Sequence, residues 1–158
     1  MNWLAAFAAA GMLRMFAIPT GAMEPGIPIG SRVAVEETQN VHTGDIIVFR
    51  YPLDPKVVHV KRIVAGPEDT VAIRDKRLRV NGREIRELYV MHDDPKVYPD
   101  QPSLPEPYRS RDQYGPYRVP ADSWFVLGDN RDKSSDSRFW GVVPRENVIG
   151  RVVYVIKP

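Results

Sequence analysis

Prolines and glycines constrain the fold of this chain more than any other feature. There are 15 prolines and 11 glycines among 158 residues, and the prolines recur from position 19 to position 158. A proline inside a helix removes a hydrogen bond and clashes with the preceding turn, so breakers at this density favour short strands joined by loops. The sequence therefore predicts a loop-rich, mainly β architecture, and its length suits one domain with a modest insertion.

Five segments between these breakers have the composition of β-strands. They are rich in β-branched residues or alternate between apolar and polar positions, and they cover residues 31–37, 45–51, 57–65, 123–129 and 148–156. Asn81-Gly82 adds a hairpin signal, because both residues tolerate the positive φ of a type I′ turn. We therefore predict an all-β domain over residues 18–158, with coiled and partly closed sheets.

A small inserted β and loop region is predicted over residues 75–120, which includes the hairpin. Seven prolines lie between residues 93 and 120, and apolar runs are few there. This composition favours an extended excursion over a helix.

The first 17 residues differ from the rest of the chain. Residues 3 to 16 are almost wholly apolar, and a helix of about 14 residues is shorter than a hydrocarbon core about 30 Å thick. A short membrane anchor, an interfacial helix and a soluble helix packed on its own domain all remain possible, whereas a signal peptide is disfavoured because Arg14 lies at the wrong end. We predict an apolar, membrane-associated helix over residues 1–17.

The composition also limits the chemistry. The chain has no cysteine, which excludes disulfides, thiol catalysis and Cys-ligated metal, and its three scattered histidines do not indicate a zinc site. The 22 basic and 20 acidic residues are intermixed, so nothing indicates nucleic acid as a partner. We predict no cofactor, no metal and no nucleic-acid binding.

Lys61 and Arg62 occupy adjacent positions in the strand predicted over residues 57–65. Neighbours in a strand point to opposite faces, so one of the two must face apolar neighbours unless both extend to water from an edge strand. Burial lowers the pKa of a lysine, and a neutral lysine can act as a general base.

The stretch "GDNRDKSSDSRFWG", residues 128–141, is dense in polar residues. It does not fit a calcium loop, because Ser137 and Val143 stand where a glycine and a glutamate are required. Two interpretations remain open: a solvated structural turn, which this stretch alone favours, and an ion-paired turn, which presents Ser134 or Ser135 to a neighbour. The ion-paired turn would be formed by Asp129, Arg131, Asp136 and Arg138.

The turn "IPTGAMEPG", residues 18–26, follows the apolar segment and resembles a place where a serine peptidase presents its nucleophile, but Ala22 occupies that position. A hydroxyl at position 22 and the amine of Lys61 would form a serine/lysine pair, in which lysine replaces histidine as the base. None of the three histidines lies beside a nucleophile motif.

Together these motifs resemble the type I signal peptidases, membrane-bound serine endopeptidases that remove signal peptides. Four segments match in the order of that family: "IPTGAMEP" (18–25), "GDIIVFRYP" (44–52), "VKRIVAGPEDTV" (60–71) and "GDNRDKSSDSRFWGVVP" (128–144). The resemblance covers residues 18–150 and implies a mostly antiparallel, coiled β-structure with a smaller inserted β-region.

The resemblance also implies roles for individual residues. Ala22 takes the position of the nucleophilic serine, Lys61 that of the general base and Ser134 that of the serine that orients the lysine, while Thr20 contributes to the oxyanion hole. Asp129, Arg131, Asp136 and Arg138 match residues that brace the site. The implied partners are membrane lipid and the signal peptides of preproteins, bound as an added strand with small residues such as Ala one and three positions before the cut. The implied location is the bacterial plasma membrane, with the catalytic domain on the outer face.

Ala22 is the main departure from the family pattern, because without a nucleophile the chain should not cleave by the family's mechanism. The alanine is either a Ser→Ala change in an otherwise competent peptidase or a natural residue. A natural alanine implies a peptide-binding pseudoenzyme or the use of Thr20 as the nucleophile. The self-cleaving repressors share a serine/lysine pair, but an apolar segment stands here where their DNA-binding domain is expected.

Overall fold

The computed structural model describes residues 13–104 and 110–158, and these form a mainly β structure. The strands are β1 (Leu13–Ala17), β2 (Arg32–Glu37), β3 (Ile46–Tyr51), β4 (Asp54–Ala65), β5 (Thr70–Arg74), β6 (Arg77–Val80), β7 (Arg83–Glu84), β8 (Tyr114–Arg118), β9 (Ser123–Leu127), β10 (Val143–Pro144) and β11 (Val148–Ile156). One short helix, α1 (Ser137–Trp140), and two 3-10 turns, Arg131–Lys133 and Arg145–Asn147, complete the described elements.

These strands form two antiparallel sheets. The large sheet has the order β1-β2-β11-β3-β4-β9-β10, and the small sheet has the order β7-β6-β5-β8. The prediction of an all-β fold is confirmed, but the sheets are not closed into a barrel, because β1 and β10 each pair on one side only within the described residues. The predicted hairpin lies between β6 and β7, where Asn81 and Gly82 have φ of 52° and 80°.

Strand β9 lies between the two halves of the core and contributes side chains to both. Successive side chains of a strand point to opposite faces, and all five residues of β9 are buried. Trp124 and Val126 pack with the core of the large sheet, which includes Phe49. Phe125 and Leu127 pack on the opposite face, against the small sheet. The small sheet therefore shares its core with the large one.

The N-terminal segment departs from the predicted helix. Leu13–Ala17 is strand β1, which pairs with β2 in the register Leu13↔Glu36 to Ala17↔Arg32. The helix prediction is therefore wrong for residues 13–17. A short apolar run is compatible with either a helix or a strand, and here the edge of β2 supplies the backbone hydrogen-bond partners of a strand. Its remainder, residues 1–12, lies outside the described residues. No helix in the described part of the chain is long and apolar enough to cross a bilayer.

Candidate active site

A groove of about 480 Å³ brings together three of the four predicted catalytic positions. Its walls include Thr20, Ala22 and Lys61. The groove lies between the turn that follows β1 and the first half of β4. Strands β1 and β4 are distant in the order of the large sheet, so the sheet must curl for both to reach one groove.

The turn that carries Ala22 is fixed from two sides. Ile18, Met23 and Ile27 are buried in a core cluster of the large sheet, which holds the turn from beneath. Ala22 is itself buried, and the backbone N–H of Asn130 donates a 3.0 Å hydrogen bond to its carbonyl oxygen. Position 22 is therefore placed jointly by the core and by the loop that follows β9.

Lys61 is the residue of the predicted pair that faces inward, and only 6% of its surface is exposed. Its Nζ donates a 3.1 Å hydrogen bond to the carbonyl oxygen of Val60. Burial lowers the pKa of Lys61, while the negative charge of Asp136 acts in the opposite direction. The alternative in which the Lys61 side chain extends to water is therefore excluded. The amine has the environment that a general base requires.

Arg62 points to the other side of β4 and reaches the loop after β9. Its guanidinium donates two hydrogen bonds to the Asp129 carboxylate, at 2.8 and 2.7 Å, and lies 3.9 Å above the ring of Tyr89. The residue next to the candidate base is thus tied to the loop that contacts Ala22.

Arg131 is held from a different part of the chain. Its guanidinium pairs with the Glu87 carboxylate, and both side chains are buried. Its Nε donates a 3.0 Å hydrogen bond to the carbonyl oxygen of Gly128. Met91 also exchanges backbone hydrogen bonds with the loop, at Asp129 and Arg131. Residues 87–91, which we call the strap, therefore brace the loop that carries Ser134.

The pair of Asp136 and Arg138 lies entirely within the loop and is fully buried. Arg138 donates hydrogen bonds to both carboxylate oxygens of Asp136, at 2.9 Å each. Burial by itself would raise the pKa of Asp136, but the charge and hydrogen bonds of Arg138 hold this pKa below its ordinary value. The predicted ion-paired turn is confirmed for these two residues. It is wrong for Asp129 and Arg131, whose partners lie elsewhere in the chain, and the solvated alternative is wrong because all four are buried.

Gly128 explains how closely the loop approaches the turn. A Cβ at this position would lie 2.2 Å from Ser134 Oγ and 2.6 Å from the carbonyl oxygen of Ala22. Ser134 is thus buried next to the turn, but the hydrogen bond of Lys61 goes to Val60, so its orienting role stays a prediction. The same holds for Thr20 at the oxyanion hole. Sequence reasoning missed Gly128, Glu87 and Tyr89; only Gly128 lay in a noted motif.

Two strand edges that have no partner among the described strands border the groove. Within the described sheet β1 pairs only with β2, and β9 pairs with Arg62 to Ala65 of β4 but not with the preceding residues. Phe16 to Ile18 and Val57 to Val60, which belong to or adjoin these edges, line the groove. Free backbone donors and acceptors on an edge bind an extended peptide as an added strand.

Comparison with known proteins shows which family the chain resembles. A family model described as "Signal peptidase, peptidase S26" matches residues 1–157. The chain is 37% identical to signal peptidase I of Leptolyngbya laminosa, covering 86% of this chain and 64% of that protein. It is 32% identical to signal peptidase I of Pseudomonas fluorescens, covering 91% of this chain and 64% of that protein. The chain therefore spans slightly less than two thirds of the length of these relatives.

A solved structure supports the same relationship. The crystal structure of a signal peptidase I from Enterococcus faecalis is 28% identical, with a TM-score of 0.55 over 72% of this chain and 97% of that one. The family model, the sequence relatives and the fold agree, and the chain belongs to the signal peptidase family, peptidase S26.

Proposed function

We propose that the groove is a signal peptidase site of the serine/lysine type, and that it binds the signal peptides of exported preproteins without cleaving them because Ala22 lacks a hydroxyl. The observation that carries the proposal is the buried Lys61 amine, which lines the same groove as Ala22. A buried lysine without a salt bridge is costly to folding, whereas a lysine with a lowered pKa is what a proton acceptor beside a nucleophile requires.

The reaction that this site is built for is acyl transfer. With a serine at position 22, its hydroxyl would attack the scissile carbonyl and Lys61 would take the proton. The backbone N–H of residue 22 and the hydroxyl of Thr20 would hold the oxyanion, and Ser134 would orient the lysine. Removal of the nucleophile from such a site lowers turnover by about a millionfold, so we expect binding without turnover from the chain as it stands.

The substrate that fits is an extended peptide with small side chains near the cut. The edges of β1 and β4 offer backbone hydrogen bonds to a strand, and the apolar side chains of Ile18 and Val60 line the space between them. Alanine one and three positions before the cut would point to the same side of the bound strand. We therefore propose Ala-x-Ala as the recognised sequence.

Membrane lipid is the second proposed partner. Leu13 and Met15 on β1 are more than half exposed, as is Tyr154 on β11. Met15 and Tyr154 both pair with Ala34, so they flank it on one face of the sheet. Exposed apolar side chains on one face favour contact with a bilayer, and we place the domain on the outer face of the bacterial plasma membrane.

The test is cleavage of an Ala-x-Ala peptide in detergent by this chain and by the Ala22→Ser variant. We expect product only from the variant, and none after Lys61→Ala is added. Cleavage by the unaltered chain that is lost with Thr20→Val would make Thr20 the nucleophile and refute the role of position 22.

The second candidate function is a natural peptide-binding homologue without catalysis. It rests on the groove with its two strand edges and needs no chemistry from Lys61. Binding of the peptide by both forms, with no turnover from Ala22→Ser, would favour this candidate.

A further inference from the structure

We infer that Lys61 is itself a nucleophile in this chain and forms a covalent imine with peptides that end in an aldehyde and occupy the groove. The inference rests on the proposed peptide-binding function and adds a covalent binding site for carbonyl compounds. It is carried by the position of the amine and by what surrounds it.

The amine of Lys61 is buried and carries no ion pair within the described residues. Its hydrogen bond goes to a backbone carbonyl, that of Val60, and no carboxylate of residues 13–104 or 110–158 forms a salt bridge with it. The carboxylates of Asp129 and Asp136 pair instead with Arg62 and Arg138. Asp136 acts on it only at longer range. An amine that is removed from water and lacks a counter-charge is favoured in its neutral, nucleophilic form.

The charged and titratable groups near the amine do not outweigh the effect of burial on its pKa. His59, two residues before Lys61 on the same strand, has a pKa that is lowered mainly by burial. It is therefore neutral near pH 7. Lys133, on the opposite loop, lines the groove as well, but its own hydrogen bond to Asp93 raises its pKa. Lys133 is thus charged and unreactive, so the two lysines of the groove differ in reactivity.

Ala22 lacks the hydroxyl that would otherwise react first with a bound carbonyl compound. In a serine/lysine site the hydroxyl takes the carbonyl carbon and the lysine takes only a proton. Here the methyl group of an alanine lines the groove, and the remaining residues with a hydroxyl there, Thr20 and Ser135, are weak nucleophiles unless a base takes their proton. Lys61 is then the strongest nucleophile beside a bound carbonyl.

The step is a condensation with no change in oxidation state. The nitrogen of Lys61 forms a bond to the aldehyde carbon, and a proton moves from nitrogen to the former carbonyl oxygen. The hydroxyl of this carbinolamine takes a second proton from solvent and leaves as water, as the C–O bond breaks and the C=N bond forms. A protonated imine remains. Borohydride added in the assay reduces the imine to a secondary amine, which fixes the peptide to the chain.

The experiment uses a peptide ending in Ala-x-alaninal, incubated with the chain in detergent and then reduced with borohydride. Intact mass should show one peptide per chain, and peptide mapping should place it on Lys61. We expect Lys61→Met, which keeps an unbranched side chain of similar length without an amine or a charge, to lower the adduct at least tenfold. Lys56→Arg, at an exposed position of the same strand, should leave the adduct unchanged, and Ala22→Ser should reduce it because the hydroxyl competes.

The matched peptide ending in alaninol separates this inference from the proposed function. If the alaninol peptide binds but the aldehyde peptide forms no adduct on Lys61, the inference is overturned and peptide binding stays intact. Adducts spread over the exposed lysines would have the same meaning. Failure of both peptides to bind would overturn both proposals. Circular dichroism of Lys61→Met ensures that a lost adduct does not reflect a lost fold.

Discussion

The buried pair of Asp136 and Arg138 gives a quantitative prediction for the substitution Asp136→Asn. The exposed fractions of the two side chains are 0% and 2%, so water cannot compensate the charge that remains on Arg138. Removal of one partner from a buried ion pair lowers the free energy of unfolding by about 3–5 kcal/mol. For a chain of this length, the loss corresponds to a fall of roughly 6–20 °C in Tm.

Urea unfolding followed by circular dichroism measures this effect, with the midpoint expected to fall at a similar slope. Asp122→Asn is the matched control, because Asp122 pairs with Arg145 but its side chain is 77% exposed. A surface pair of this kind contributes less than about 1 kcal/mol. If Asp136→Asn proved as mild as the control, the loop would not be held by buried charge and the account of the site would be wrong.

The same pair predicts how stability depends on pH. The pKa of Asp136 in the folded chain lies below its ordinary value, so the carboxylate contributes stability above about pH 4, the ordinary value of an aspartate. That contribution is lost as the pH falls through the lowered pKa. The unaltered chain should therefore lose stability in acid more steeply than Asp136→Asn does.

Three further predictions concern the same site. Gly128→Ala should lower the free energy of unfolding by about 1–3 kcal/mol and weaken peptide binding. Gly26→Ala, whose new methyl would meet nothing closer than 3.9 Å, should do neither. Equal effects of the two substitutions would refute the close approach of the loop to the turn at Gly128. Glu87→Gln should reduce stability and the activity of Ala22→Ser together, and an unchanged activity would show that the strap does not position the site. The activity of Ala22→Ser should rise with pH to a midpoint below about 10.4, the ordinary pKa of lysine, because the lowered pKa of Lys61 leaves the base neutral at lower pH; a midpoint at the ordinary value would contradict burial of the amine.

The local features of the fold could be predicted from the sequence. The strand predicted over residues 148–156 coincides with β11, and the hairpin lies at Asn81-Gly82. These patterns are short-range, since alternation and turn chemistry act within a few residues. Strand β1 was missed because its conformation depends on pairing with β2, about twenty positions further along the chain.

The candidate site was predictable in its residue types but not in its partners. Alternation required that Lys61 or Arg62 face inward, but only the packed structure decides which. The contacts of Arg62 with Asp129 and of Arg131 with Glu87 join residues 67 and 44 positions apart. No local pattern encodes such distances, so a charged residue in a loop motif does not reveal which distant side chain it meets.

The double burial of β9 bears on how this domain can be altered. Phe125 and Leu127 complete the core of the small sheet, and Trp124 and Val126 complete that of the large sheet. The inserted small sheet therefore cannot be deleted, or replaced by that of a relative, as an independent unit. Any graft would have to carry the matching face of β9 with it. We expect thermal unfolding to show one cooperative transition, with the inserted sheet melting together with the groove.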